Sequence, residues 1–359
     1  MAYTSGNIIR KGDFNLLATG AEDGTYDATV PNLGVVWGTG FGRFGYGQII
    51  EDTIDPVATG DAISAAQWDN LDAIISNVIE HQLGPGNYPD NSPVAPGQLI
   101  SPIARLQPGV QLAYSGVGKC FAPDETQYNT TFSGLWGGAG RRTLKFTQTL
   151  TFESADIARY FFNAGGKIKL NFSYTPNPMN DRASVWENIT QSAGVVTIGY
   201  QDTIRTGGSP EGFTVRPAGQ GGYWAQSTGV ALEHFRQIAN PTGRYEDIDG
   251  DGFYGSYGYS GYGYGYGYGY YESPDDYLKV EVKVTDTDGL NQNIGKVVTI
   301  TTSLVNGSIY APAGDTIQGS FTTGLIVSKP PPPPPRGPGL LTVDHWSDYI
   351  FSGEVDAVA

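Results

Sequence analysis

The stretch "YEDIDGDGFYG" sets Asp247, Asp249 and Asp251 at alternate positions, followed by Gly252 and Phe253. Carboxylates at positions 1, 3 and 5, a glycine at 6 for the sharp turn and a main-chain carbonyl at 7 form the first half of a calcium loop. The second half departs from that pattern. Position 12, where a bidentate Glu should close the shell, is Gly258, so Glu272, Asp275 or Asp276 would have to supply further oxygens. Asp247, Asp249, Asp251 and the Phe253 carbonyl are therefore candidate ligands for Ca²⁺, favoured over Mg²⁺. An acidic, glycine-rich turn in water is the plainer alternative for the same residues.

The segment that follows, residues 254–271, is almost pure glycine and tyrosine. From Tyr262 to Tyr270 the two alternate strictly, and in an extended chain alternation places Tyr262, Tyr264, Tyr266, Tyr268 and Tyr270 on one face, with Tyr257 and Tyr259 leading into it. Tyrosine offers a large contact area at low rotamer entropy, and glycine lets another backbone or a sugar ring approach closely. These seven tyrosines are candidate contact residues for a neighbouring subunit or a surface glycan. A low-complexity linker between two strands is the competing expectation. If the aspartates hold Ca²⁺, the ion would stiffen the base of this ridge and reduce the entropy lost on contact.

Other chemistry is thin. Only three histidines occur, His81, His234 and His345, and Asp344 and Asp348 beside His345 are too close in sequence to build a triad. "GFGRFG" (Gly40–Gly45) matches a dinucleotide fingerprint by letters, but no helix opens after it to present backbone amides to a phosphate. Cys120 is the only cysteine, which excludes an intrachain disulfide and fits a buried thiol. No catalytic constellation emerges, and a non-enzymatic role is expected.

Composition limits the partners. A formal net charge of -15 with no Lys/Arg cluster argues against nucleic acid. No apolar run approaches the ~18 residues of a membrane span, and the N-terminus lacks the apolar core of a secretory signal. With 51 glycines and 23 prolines among 359 residues, the chain has the composition of a turn-rich β protein.

The elements that must carry these residues can be read in order. Residues 1–85 form an attachment region, with an extended arm and then a helix within "ISAAQWDNLDAIISNVIEHQLGPG". That helix is capped by Ser64 with Gln67 and stapled by Ile63 on Trp68. His81 in its last turn is expected to place a favourable charge at the helix C-terminus. Residues 86–142, rich in Pro and Gly, read as an irregular connection.

Residues 143–329 read as an antiparallel sandwich or barrel-like body, interrupted by the Gly-Tyr insert at 254–271. Within it a strand from Leu144 to Phe152, with Gln148 the polar exception on its apolar face, leads to a short helix capped by Ser154 and a turn at Gly165-Gly166. Asn163 and the two glycines are expected to supply left-handed backbone. Residues 330–359 open with six prolines, a stiff spacer. They end in a segment whose Trp346, Tyr349, Ile350 and Phe351 are too apolar for a free tail and are expected to dock on another subunit.

"WGTGFGRFGYGQ", "ISAAQWDNLDAIISNVIEHQ" and above all "FESADIARYFFNAGGKIKLNFS" resemble stretches of virion structural, tail fibre-like proteins of tailed bacteriophages, particularly cyanobacterial myoviruses. The resemblance covers about a third of the chain. It implies a virion location, tail-associated at a fibre or the baseplate periphery, with partners among other phage structural proteins, copies of itself and a host surface glycan. A head or neck decoration or connector protein, and a glycan-binding or glycan-cleaving tail adhesin, are the alternatives. The overall expectation is a mainly β protein with a few short helices, one amphipathic N-terminal helix and extended terminal arms.

Overall fold

A computed structural model describes residues 10–39, 44–48, 54–88, 103–137, 142–177, 181–225, 229–238, 276–286, 295–306, 316–332 and 349–358. The fold is mainly β, as expected: two antiparallel sheets pack face to face over one apolar core. The first sheet orders its strands β1 (Asp124–Trp136), β10 (Ile317–Lys329), β3 (Lys167–Pro176), β4 (Val195–Ile198) and β5 (Thr203–Thr206). The second orders β11 (Tyr349–Val358), β2 (Thr143–Phe152), β9 (Val297–Val305), β8 (Tyr277–Thr285), β7 (Leu232–Ile238) and β6 (Phe213–Val215). Alternation explains the arrangement: Leu144, Phe146, Leu150 and Phe152 of β2 are buried, as are Val280, Val282 and Val284 of β8 with Leu278.

Among the described residues, six α-helices frame the sandwich. α1 (Lys11–Thr19), α2 (Leu33–Trp37), α3 (Ala65–Leu83) and α4 (Ile103–Ser115) pack on one another at one end, with the Phe14 ring edge-on to Trp68 at 5.4 Å. α3 begins as its sequence dictates: Ser64 Oγ accepts from Gln67 N at 3.2 Å, and Ser64 N donates to Gln67 Oε1 at 2.8 Å. α5 (Ala155–Asn163) joins the sheets, and Ser154 Oγ accepts from Ile157 N at 3.1 Å. α6 (Asp181–Ala193) touches β3 and β10 of one sheet and β7 and β8 of the other, filling the space between them with Trp186 and Ile189. Trp186 meets Trp136 edge-on at 4.9 Å, a burial worth about 3–5 kcal/mol if truncated to Ala.

Several local expectations are corrected. Residues 86–142 are not an irregular connection: they hold α4 and the thirteen-residue β1, which pairs along its whole length with β10. The glycines and prolines there punctuate elements rather than replace them. The N-terminal region is helical at α1 and α2, with Asn32 capping the latter by accepting from Val35 N. In the turn after α5 only Gly165 is left-handed (φ 97°), and a Cβ there would strike the Lys119–Cys120 peptide at 2.4 Å. Gly166 is required instead by the Phe161 ring, 2.5 Å from where its Cβ would lie, and Asn163 stays helical.

The molecule has two unlike ends. α1–α5 lie where β1, β3 and β11 begin; there Gly118 N donates to Asn163 O at 2.6 Å and His81 Nε2 approaches the Pro331 carbonyl at 3.0 Å. The other end collects Trp136, Pro176, Ile238, Tyr277 and Val305, pinned by Asn306, whose N donates to Arg142 O and whose Nδ2 donates to Gly137 O.

Candidate interaction surface

The strand Tyr349–Val358 belongs to the body of the sandwich. β11 pairs antiparallel with β2 of its own chain, Tyr349 opposite Phe152 and Phe351 opposite Leu150. The expected docking residues therefore divide. Tyr349 and Phe351 turn inward, half-buried, against β1 of the facing sheet: the Phe351 ring stacks on Tyr128 at 4.2 Å, and the Tyr128 and Tyr349 hydroxyls lie 3.5 Å apart. Burial, and then the contact with Tyr128, push the Tyr349 phenol above its ordinary pKa. Ile350 points away from the core and is 74% exposed. Trp346 lies outside the described residues. The correction follows from strand alternation, which sends neighbouring apolar side chains to opposite faces.

β1 and β11 are the outermost strands of the two sheets on the same side of the sandwich, so their outer backbone edges face solvent among the described residues. Sequence reasoning missed β1, although Tyr128, Phe132 and Trp136 recur at even spacing. Its inward face carries Tyr128, Thr130 and Phe132; its outward face carries Glu125, Gln127, Asn129, Thr131, Ser133 and Leu135, all exposed. Gln148, the polar exception of β2, lies fully buried beneath this edge and donates to Thr323 O at 3.3 Å and Thr130 Oγ1 at 3.4 Å. Its role is to couple β2 to both β1 and β10 inside the sandwich.

The calcium candidates Asp247, Asp249, Asp251 and Phe253, and the tyrosines from Tyr257 to Tyr270, lie outside the described residues. Their point of attachment is defined. Ile238, the last residue of β7, pairs with Tyr277, the first of β8. The residues flanking the segment therefore lie on neighbouring strands at the end opposite α1–α5. Arg236 secures that base: its guanidinium makes two bonds to Glu233, Nε to Oε1 at 2.9 Å and Nη2 to Oε2 at 2.6 Å, and covers the Tyr277 ring at 4.3 Å.

The titratable groups that sequence singled out are built into the core. His81 does not act as a charge at a helix terminus: burial drives its pKa down to about 4, with its hydrogen bond to Pro331 opposing the shift, and Nε2–H donates to that carbonyl. His234 is fully buried, and burial, then Arg216, lower its pKa to about 4. Thr203 Oγ1 bonds the Gly221 carbonyl and lies 2.7 Å from His234 Nδ1, so the ring donates to the hydroxyl. Burial pushes the Cys120 thiol up to about 11, Lys167 and Lys169 opposing, and Sγ donates to Gly165 O at 3.5 Å. A pKa that high leaves almost no thiolate near neutrality.

Gly45 of the glycine-rich motif is held by Asn163, whose Nδ2 donates to Gly45 O at 2.6 Å and to Phe44 O at 3.0 Å. Those carbonyls face a side-chain amide, not a phosphate. Among the described residues no three His, Cys, Asp or Glu side chains gather to hold a metal ion, and no helix is long and apolar enough to cross a membrane. No family model, no curated protein and no solved structure matches this chain.

Proposed function

We propose that the chain is a non-enzymatic structural subunit of a tailed-phage particle, tail-associated at a fibre or the baseplate periphery. The observation that carries this reading is the open side of the sandwich, where two long strands, β1 and β11, lie side by side with their outer edges bare among the described residues. Such edges favour strand addition and are ordinarily blunted in proteins that act alone. The resemblance of "FESADIARYFFNAGG" to tail fibre-like proteins supplies the setting. The polarity of the body fits the role: α1–α5 lie at one end, and Ile238 and Tyr277, which flank the sequence holding the candidate Ca²⁺ loop and the tyrosine run, pair at the other. In this arrangement the tyrosines meet a glycan or a neighbouring subunit.

The experiment is mass spectrometry of separated heads and tails from purified particles. Peptides of this chain are expected in the tail fraction. Recovery with heads would move the subunit to the head or neck, and recovery with neither would end the structural reading. Replacing the tyrosines from Tyr262 to Tyr270 with serine tests the contact role: adsorption or incorporation should fall at least tenfold while the body stays folded.

A further inference from the structure

We infer that the open edge is an isologous interface, in which β1 pairs antiparallel with β1 of a second copy about a two-fold axis at Thr130. The inference rests on the reading of the chain as a subunit of an assembly and adds where its copies meet. Proteins protect a free strand edge with charge, proline, a bulge or shortness. β1 has none of these from Thr126 to Trp136: the segment is uncharged, free of proline and paired with β10 without a register shift. An edge left so bare over eleven residues, among the described residues, is suited to be covered.

Its sequence is complementary to itself. About Thr130, Asn129 of one copy lies opposite Thr131 of the other, Tyr128 opposite Phe132, Gln127 opposite Ser133, and Thr130 opposite Thr130. Aromatic side chains thus meet on the inward face and small hydrogen-bonding side chains on the outward face, pairs that stabilise antiparallel ladders by about 0.2–1 kcal/mol each. The acids avoid one another despite the net charge of -15: Asp124 falls opposite Trp136 and Glu125 opposite Leu135.

The second sheet obeys the same axis. Thr130 faces Gly353 across the sandwich so closely that a Cβ on Gly353 would lie 2.5 Å from Thr130 Oγ1. Gly353 is at the middle of β11, so one two-fold brings both pairs of edges together. About Gly353, Phe351 lies opposite Val355, Glu354 opposite Ser352, and the exposed Ile350 opposite Asp356; again no acid opposes an acid. Association then extends a five-stranded and a six-stranded sheet at one stroke.

The register is tested with charge at Asn129 and Thr131, which are exposed and make only surface hydrogen bonds. The full chain should sediment as a dimer or a multiple of one. Asn129→Lys with Thr131→Lys sets lysine against lysine twice at the axis, and the dissociation constant should rise about a hundredfold with unchanged circular dichroism. Asn129→Lys with Thr131→Glu sets opposite charges in the same places and should restore the dimer, as only this register requires. A wild-type chain that stays monomeric when concentrated overturns the inference. So does a dimer indifferent to the lysine pair, although self-association and the virion reading then survive. A chain monomeric alone whose lysine variant is nevertheless lost from particles would assign the edge to a strand of another protein, and self-pairing would be wrong. Absence of the wild-type chain from particles, with the dimer and its charge response intact, would instead end the virion reading and leave the interface.

Discussion

The two lateral sides of the sandwich are finished differently. On one side the outer strands are short, four residues in β5 and three in β6, and the sheets are sewn together. Arg205 of β5 donates to Ser192 O, Ala193 O and Ser209 O and lays its guanidinium over the Phe213 ring of β6 at 4.2 Å. Thr203 of β5 bonds His234 of β7. On the other side, β1 and β11 run thirteen and ten residues and meet through half-buried aromatic rings. Polar groups buried with their partners specify one arrangement, whereas bare backbone invites another strand. The closed side holds the monomer together, and the open side is where the proposed assembly would form.

Acid should destabilise the body through its two buried histidines, one of them on the closed side. His234 has a folded pKa of about 4 against about 6.5 unfolded, so the unfolded chain binds protons that the folded one excludes. Stability from this ring is complete above pH 6.5 and is lost as pH falls toward 4, at up to ~1.4 kcal/mol per pH unit. His81, depressed to about 4 in the same way, adds a similar slope. β1 and β11 contain no histidine. Urea midpoints at pH 7, 5.5 and 4.5 should fall in order, and His234→Gln should flatten the slope by about half.

Thr203→Val is the next largest effect. It strips a partner from the buried His234 ring and from the Gly221 carbonyl together, and should cost about 1–3 kcal/mol by denaturant unfolding. On the open side Phe351→Ala loses the stack on Tyr128 and should cost only about 1 kcal/mol. Ile350→Ser, at an exposed position, should stay within about 0.5 kcal/mol by the same measurement. A large loss at Ile350 would mean that the open edge is already closed in the species measured, which sharpens the contrast between folding and assembly.

Sequence reasoning followed local signals well. The capping box of Ser64 and Gln67, the Ser154 cap, and the strand from Leu144 to Phe152 all stand as read, and with them the fold class. What escaped depends on distant partners. β1 is rich in Thr, Ser, Asn and Gly because an outer strand covers only one neighbour, so its apolar alternation is diluted. β11 is paired by β2, some two hundred residues earlier, and nothing near Tyr349 announces it. His81 reads as a helix-terminal charge until Pro331, 250 residues away, is set against it. The Asp and Tyr candidates fall outside the described residues, so their chemistry stands as proposed from sequence.

The pairing of Ile238 with Tyr277 has a consequence for how this chain can change over time. Because β7 and β8 are already neighbours in the sheet, the segment between them only has to close a hairpin, and closure entropy grows with the logarithm of length. Doubling such a connection costs about 0.6 kcal/mol, less than one good aromatic contact in the body. Insertion or loss of Gly-Tyr dipeptides therefore passes almost unnoticed by folding. The length of that connection is thus nearly independent of the packing that holds the sandwich together.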